Sequence, residues 1–104
     1  MDYTMEVFIV DDEQRALDSL SKLLTNFFEH IKILGTALNV DDAYSQILQK
    51  KPQLIFLDIE MGKESGFNLL EKFEEIDFHI VFLTAHEEYA LRAIKFSAID
   101  YIIK

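Results

Sequence analysis

The chain has 104 residues, half of them hydrophobic, with a formal net charge of −9 and no cysteine. That is room for one domain with a packed core, and it excludes a disordered chain, disulfides, a thiol nucleophile and thiolate zinc sites. The acid excess disfavours direct nucleic-acid binding, no apolar run reaches the length of a membrane span, and Met1-Asp2-Tyr3 does not open an export signal, so a cytoplasmic chain is expected.

Short apolar runs alternate with helical patterns. Glu6 to Val10 reads as a buried strand. Gln14 to Phe28 reads as a helix with Leu17, Leu20, Leu24, Phe27 and Phe28 on one face. Ile31 to Ala37 is a second strand. Asn39 or Asp41 can cap the next helix, Asp42 to Lys50, with Ala43, Tyr44, Ile47 and Leu48 inward, and Lys50-Lys51-Pro52 ends it. Gln53 to Leu57 is a third strand, and Gly62 to Gly66 a loop. Phe67 to Glu75 follows as a helix with Phe67, Leu70 and Phe73 inward. His79 to Leu83 is a fourth strand, Glu87 to Lys95 a fourth helix and Tyr101 to Ile103 a fifth strand.

Apolar strands separated by single helices imply an α/β fold, a doubly wound parallel sheet covered on both faces. A fifth helix would continue the pattern. Residues 1–104 therefore read as one domain truncated after its fifth strand, with the last helix missing.

Ligands of such sheets bind beyond the carboxyl ends of the strands. There the sequence places Asp11, Asp12 and Glu13 after the first strand, Asp58 and Glu60 after the third, Thr84 after the fourth and Lys104 after the fifth. Three close carboxylates repel one another unless a cation joins them. A hard divalent ion with oxygen ligands fits, Mg²⁺ in particular, and it would also neutralise a phosphoryl group arriving at Asp58. Lys104 can pair with that group as a point charge, and the Thr84 hydroxyl can donate to it. Each residue alone has a plainer explanation: Asp11-Asp12 as helix caps, Asp58 as a turn residue, Thr84 as a cap, Lys104 as a solvated terminus. The combination at four strand ends points to chemistry.

The pieces V-D-D-E (Val10 to Glu13), L-D-I-E-M (Leu57 to Met61), S-G-F-N-L-L (Ser65 to Leu70), L-T-A-H (Leu83 to His86) and D-Y-I-I-K (Asp100 to Lys104) occur in that order. In this the chain resembles the receiver domain of two-component response regulators, a five-stranded flavodoxin-like (CheY-like) fold. The run Thr84 to Ile94 resembles the LytTR class, whose C-terminal DNA-binding domain is not in this chain. The resemblance implies that Asp58 takes phosphate from a histidine kinase. It implies metal ligation by Asp12 and Asp58, by Asp11 through water, and by the main-chain carbonyl of Glu60. It assigns Lys104 to bridge the phosphate and the acid, and Thr84 with Tyr101 to a switch pair, although Tyr101 also fits a core aromatic. Glu60 and His86 stand where the family tunes phosphate lifetime, with an exposed loop histidine the simpler explanation of His86. His30 and His79 look structural.

Two positions depart from the family pattern: Gly62 replaces the usual Pro and is expected to loosen the loop, and Ser65 replaces Asp or Asn. Ala90, Ile94 and Phe96 are candidates for a homodimer contact around the fourth helix and fifth strand, or else for core. Three rivals remain. A haloacid dehalogenase-type phosphatase would need a second Asp where Glu60 stands, and a longer chain. A flavodoxin-type module would need a Ser/Thr/Gly-rich loop where Asp11-Asp12-Glu13 stands. A degenerate receiver would lack one of the key residues.

Overall fold

A computed structural model describes residues 4–84 and the backbone of 100–103. The chain runs β1 (Met5–Val10), α1 (Gln14–Phe27), β2 (Ile31–Ala37), α2 (Val40–Lys50), β3 (Leu54–Asp58), β4 (Glu60–Met61), β5 (Glu64–Ser65), α3 (Gly66–Glu71), β6 (His79–Thr84) and β7 (Asp100–Ile103). The fourth helix expected at Glu87 to Lys95, with Ala90, Ile94 and Phe96, lies outside the described residues, as do His86 and Lys104.

The main sheet has five strands in the order β2-β1-β3-β6-β7, every pair parallel. Alternate residues of each central strand feed opposite cores, which is why these strands read as unbroken apolar runs. Phe8, Val10, Ile55, Leu57, Ile80 and Phe82 pack on one side with Ala43 and Ile47 of α2 and Phe67 and Leu70 of α3. Val7, Ile9, Phe56, Val81 and Leu83 pack on the other with Leu17 and Leu24 of α1. Helices thus cover both faces, as the apolar pattern predicts. The chain leaves β1 for β2 on one side and returns past it to β3, so the switch in strand order falls between β1 and β3.

The helices depart from expectation at their ends. Phe27 and Phe28 are exposed (74% and 51%) rather than inward. At about 100° per residue, Phe27 falls well off the stripe through Leu17 and Leu24. Phe28 would return to that stripe, but it is the C-cap, with an extended backbone that leaves the helical path. Leu48 is also exposed, about 100° beyond Ile47 in α2. Asn39 is the cap of α2, its side chain accepting from the Asp42 N–H at 2.8 Å. Helix α3 stops at Glu71, four residues short of expectation, because Lys72 and Phe73 N–H turn to Leu69 and Leu70 carbonyls, a tighter i→i+3 pattern. Phe73 nonetheless reaches the core, edge-on to Tyr44 and Phe78.

The expected loop at 62–66 instead holds the turn and second strand of a short antiparallel ribbon, with Glu60 opposite Ser65 and Met61 opposite Glu64, and the first residue of α3. Gly62, expected to loosen this segment, instead supplies the positive φ (64°) that a two-residue hairpin turn demands.

Candidate functional site: an acidic rim at the strand switch

Asp11 and Asp12 leave β1, and Asp58 ends β3, so the change in strand order brings all three to one rim. One carboxylate oxygen from each lies within 4.8 Å of the others. Backbone bonds fix this geometry. The Asp11 N–H donates to the Ala37 carbonyl at 3.1 Å, and the Asp11 Oδ1 accepts from the Glu13 N–H at 3.0 Å. The Asp58 Oδ1 accepts from the Glu60 N–H at 3.2 Å, while the next residue, Ile59, donates to the Leu83 carbonyl at 3.0 Å. Asp11 and Asp58 are almost fully buried (1% and 4% exposed), and Asp12 faces solvent. Two buried acids and an exposed one thus form a set of hard oxygen donors open on one side.

Such a set could hold a metal ion. Three like charges this close are costly without a counter-charge, and all three donors are carboxylate oxygens, suited to a hard divalent cation. The chemistry of these residues therefore fits Mg²⁺.

Thr84 is buried and closes β6 one register step beyond the Asp58–Leu83 pair, and it is itself in register with Ile103 of β7. The sheet so places Thr84 on the same rim as Asp58. Lys104 follows Ile103 in sequence and lies outside the described residues, as does the Tyr101 side chain. The Tyr101 backbone stands in register with Phe82. Glu60, the first residue of β4, has an exposed side chain.

The sequence reading gave Gly66 no role, yet it is among the residues nearest to the site's support. Its N–H donates to the Ile59 carbonyl at 2.8 Å. A Cβ at this position would stand 2.5 Å from the Asp58 carbonyl oxygen and 2.9 Å from Leu57 Cγ. Only glycine lets α3 approach the end of β3 so closely. Ser65 and Asn68 form a reciprocal capping box that starts α3 at this spot. The S-x-x-N spacing was the available signal.

Known proteins share this fold. The model of the response regulator receiver domain matches residues 7–104. The sensory transduction protein LytT of Bacillus cereus is 41% identical over 103 residues, covering 96% of this chain and 41% of that protein. The chain thus spans about two fifths of the length of the curated relatives it matches. The response regulatory domain of protein mrkE from Klebsiella pneumoniae superposes with a TM-score of 0.85 at 33% identity, covering 96% of this chain and 83% of that one. The response regulator TrrA of Thermotoga maritima, in complex with Mg²⁺ and BeF, superposes at 0.82 with 28% identity, covering 97% and 87%. These matches leave the haloacid dehalogenase-type alternative without support. The chain belongs to the response regulator receiver domain family, and it is similar to sensory transduction proteins named LytT and LytR.

Proposed function

We propose that Asp58 is the phosphoryl acceptor of this receiver and that Asp11, Asp12 and Asp58 hold the Mg²⁺ that acceptance requires. The observation that carries this reading is the gathering of the three carboxylates within 4.8 Å at the strand switch. In the reaction, an Asp58 carboxylate oxygen bonds to the phosphorus of a phosphohistidine on a sensor histidine kinase. The N–P bond breaks, the imidazole keeps its electron pair and takes a proton, and an acyl phosphate remains on Asp58. Bound Mg²⁺ supplies charge neutralisation to the acids and to the phosphoryl oxygens. Asp12 and Asp58 would bind it directly, Asp11 through water, and the Glu60 main-chain carbonyl would complete the protein's share.

The backbone bond from Glu60 to Asp58 Oδ1 orients the carboxylate for attack. Burial removes Asp58 from bulk water, so the nucleophile meets its donor in a preorganised site. Phosphorylation then adds nearly two charges and three acceptors at the rim. Thr84 would donate to the new phosphate and Lys104 would pair with it, contacts that strengthen only in the modified state and so shift a two-state equilibrium. Tyr101 would follow Thr84 as its switch partner.

We propose further that the acceptor loses its phosphate by hydrolysis, with Glu60 and His86 flanking the path of water. We propose also a homodimer through the fourth-helix and fifth-strand face, a cytoplasmic location, and DNA binding by a separate C-terminal domain rather than by this one. No helix among the described residues is long and apolar enough to cross a membrane. The test is exposure to acetyl phosphate with and without Mg²⁺, read by intact mass. Stoichiometric, Mg²⁺-dependent addition of one phosphoryl group supports the reading. Continuous turnover of a phosphomonoester, or labelling that ignores Mg²⁺, contradicts it.

A further inference from the structure

Strand β2 is an edge of the main sheet, and two carbonyls of its C-terminal half, those of Leu34 and Thr36, are already occupied. Ala37 accepts from Asp11 of β1, so the Thr36 carbonyl faces away from the sheet, and Leu34 is left out of the ladder by a slip in register. Helix α2 reaches both. Gln46 Nε2 donates to the Thr36 carbonyl at 3.1 Å, and Lys50 Nζ donates to the Leu34 carbonyl at 3.1 Å. The two side chains are tied together, Lys50 Nζ donating to Gln46 Oε1 at 2.9 Å, and Gln46 is steadied by Asp42 at 3.0 Å.

Two further features of β2 fit the same arrangement. The register with β1 slips between Val7 and Phe8, so that Leu34 is passed over and the edge is kinked by a bulge. Gly35 lies under the two caps: a Cβ there would stand 2.7 Å from Lys50 Nζ and 3.0 Å from Gln46 Oε1. Its φ is not positive, so the glycine answers a need for space rather than for backbone freedom.

We propose that Gln46 and Lys50, seated over Gly35, close the C-terminal half of the β2 edge against β2 of a second copy of this chain. An open parallel-sheet edge is a template for strand addition, and lysine and bulges are common ways to blunt one. The strand I-K-I-L-G-T-A carries a single charge and strong β formers, so uncapped it would pair. The same outward groups on two copies are self-complementary across a two-fold axis, which makes a second copy the partner that an open edge would take. The closure also shields the site's support, because the carbonyl that holds the Asp11 N–H is the last of β2.

The test is the double variant Gln46→Leu/Lys50→Met of the 104-residue chain, which removes both donors and keeps good helix formers. Light scattering across a concentration series, at about 0.15 M salt to screen the net charge, is read against the parent chain. The expected result is a concentration-dependent rise in mass above the parent, toward a doubling or beyond. Thr36→Pro added to the double variant removes the outward N–H of the edge and should abolish the rise. Gly35→Ala, whose Cβ displaces both caps and also meets Phe8 Cε2 at 3.0 Å, should reproduce it with the circular-dichroism spectrum kept. A double variant that keeps its circular-dichroism spectrum and the parent's mass overturns the proposal, as does a rise that Thr36→Pro leaves intact. If the double variant loses its spectrum, Gly35→Ala decides by the same two criteria.

Discussion

Replacing Asp58 by Asn should make the metal-free protein more stable, which is unusual for a buried polar residue. The side chains are isosteric, and the amide oxygen of the replacement can still accept from the Glu60 N–H. What disappears is one of three clustered negative charges. Two unit charges 4.8 Å apart repel by about 0.9 kcal/mol in bulk water and by about 3.5 kcal/mol at an effective dielectric constant near 20. Asp11 and Asp58 are both almost fully buried, which places their interaction toward the upper end. We expect a gain of about 1–3 kcal/mol in EDTA, and about 4–8 °C in melting temperature per kcal/mol for a domain of this size. Mg²⁺ should reverse the order. At a hundred times its dissociation constant a ligand stabilises the folded state by about 2.7 kcal/mol, and the Asp58→Asn variant forfeits most of that. The assay is thermal melting of parent and Asp58→Asn in EDTA and in a Mg²⁺ series. A variant that melts below the parent in EDTA, or that gains as much from Mg²⁺ as the parent, refutes the electrostatic argument.

Gly66→Ala forces its new Cβ off the Asp58 carbonyl by at least about 0.5 Å, and a displacement of that order at a phosphoryl acceptor should slow acetyl-phosphate labelling about ten- to a hundredfold. Overpacking should also lower stability by about 1–3 kcal/mol, measured by urea unfolding. Thr84→Ala should still be labelled stoichiometrically, yet lose most of the phosphate-dependent chemical-shift changes in β6 and β7, since the proposed role of the hydroxyl is to answer the new charge. Asn39→Ala removes the cap on α2 and should cost about 1 kcal/mol in urea with labelling unchanged.

The central strands were legible in the sequence because burial on both faces leaves no alternation to misread: β1, β3 and β6 were placed within one residue at either end. The acid cluster was legible for a related reason. Acids that follow apolar runs must sit at strand ends, and a parallel sheet brings those ends to one rim. Hidden from the sequence was whatever depends on neighbours rather than on period. Phe28 has the right helical phase but stands where the backbone leaves the helix. Gly62 looked like freedom and is the pivot of a tight turn. Gly66 matters because of the carbonyl it approaches, and that carbonyl belongs to a residue eight positions earlier.

The most direct test is to locate the phosphoryl group itself. After acetyl phosphate and Mg²⁺, borohydride reduction converts an aspartyl phosphate to homoserine, and peptide mass spectrometry reads the position. Homoserine is expected at residue 58 alone, and absent when Mg²⁺ is chelated. Homoserine at residue 11 or 12, or a labelled chain in which residue 58 stays aspartate, would contradict the assignment of Asp58 as acceptor.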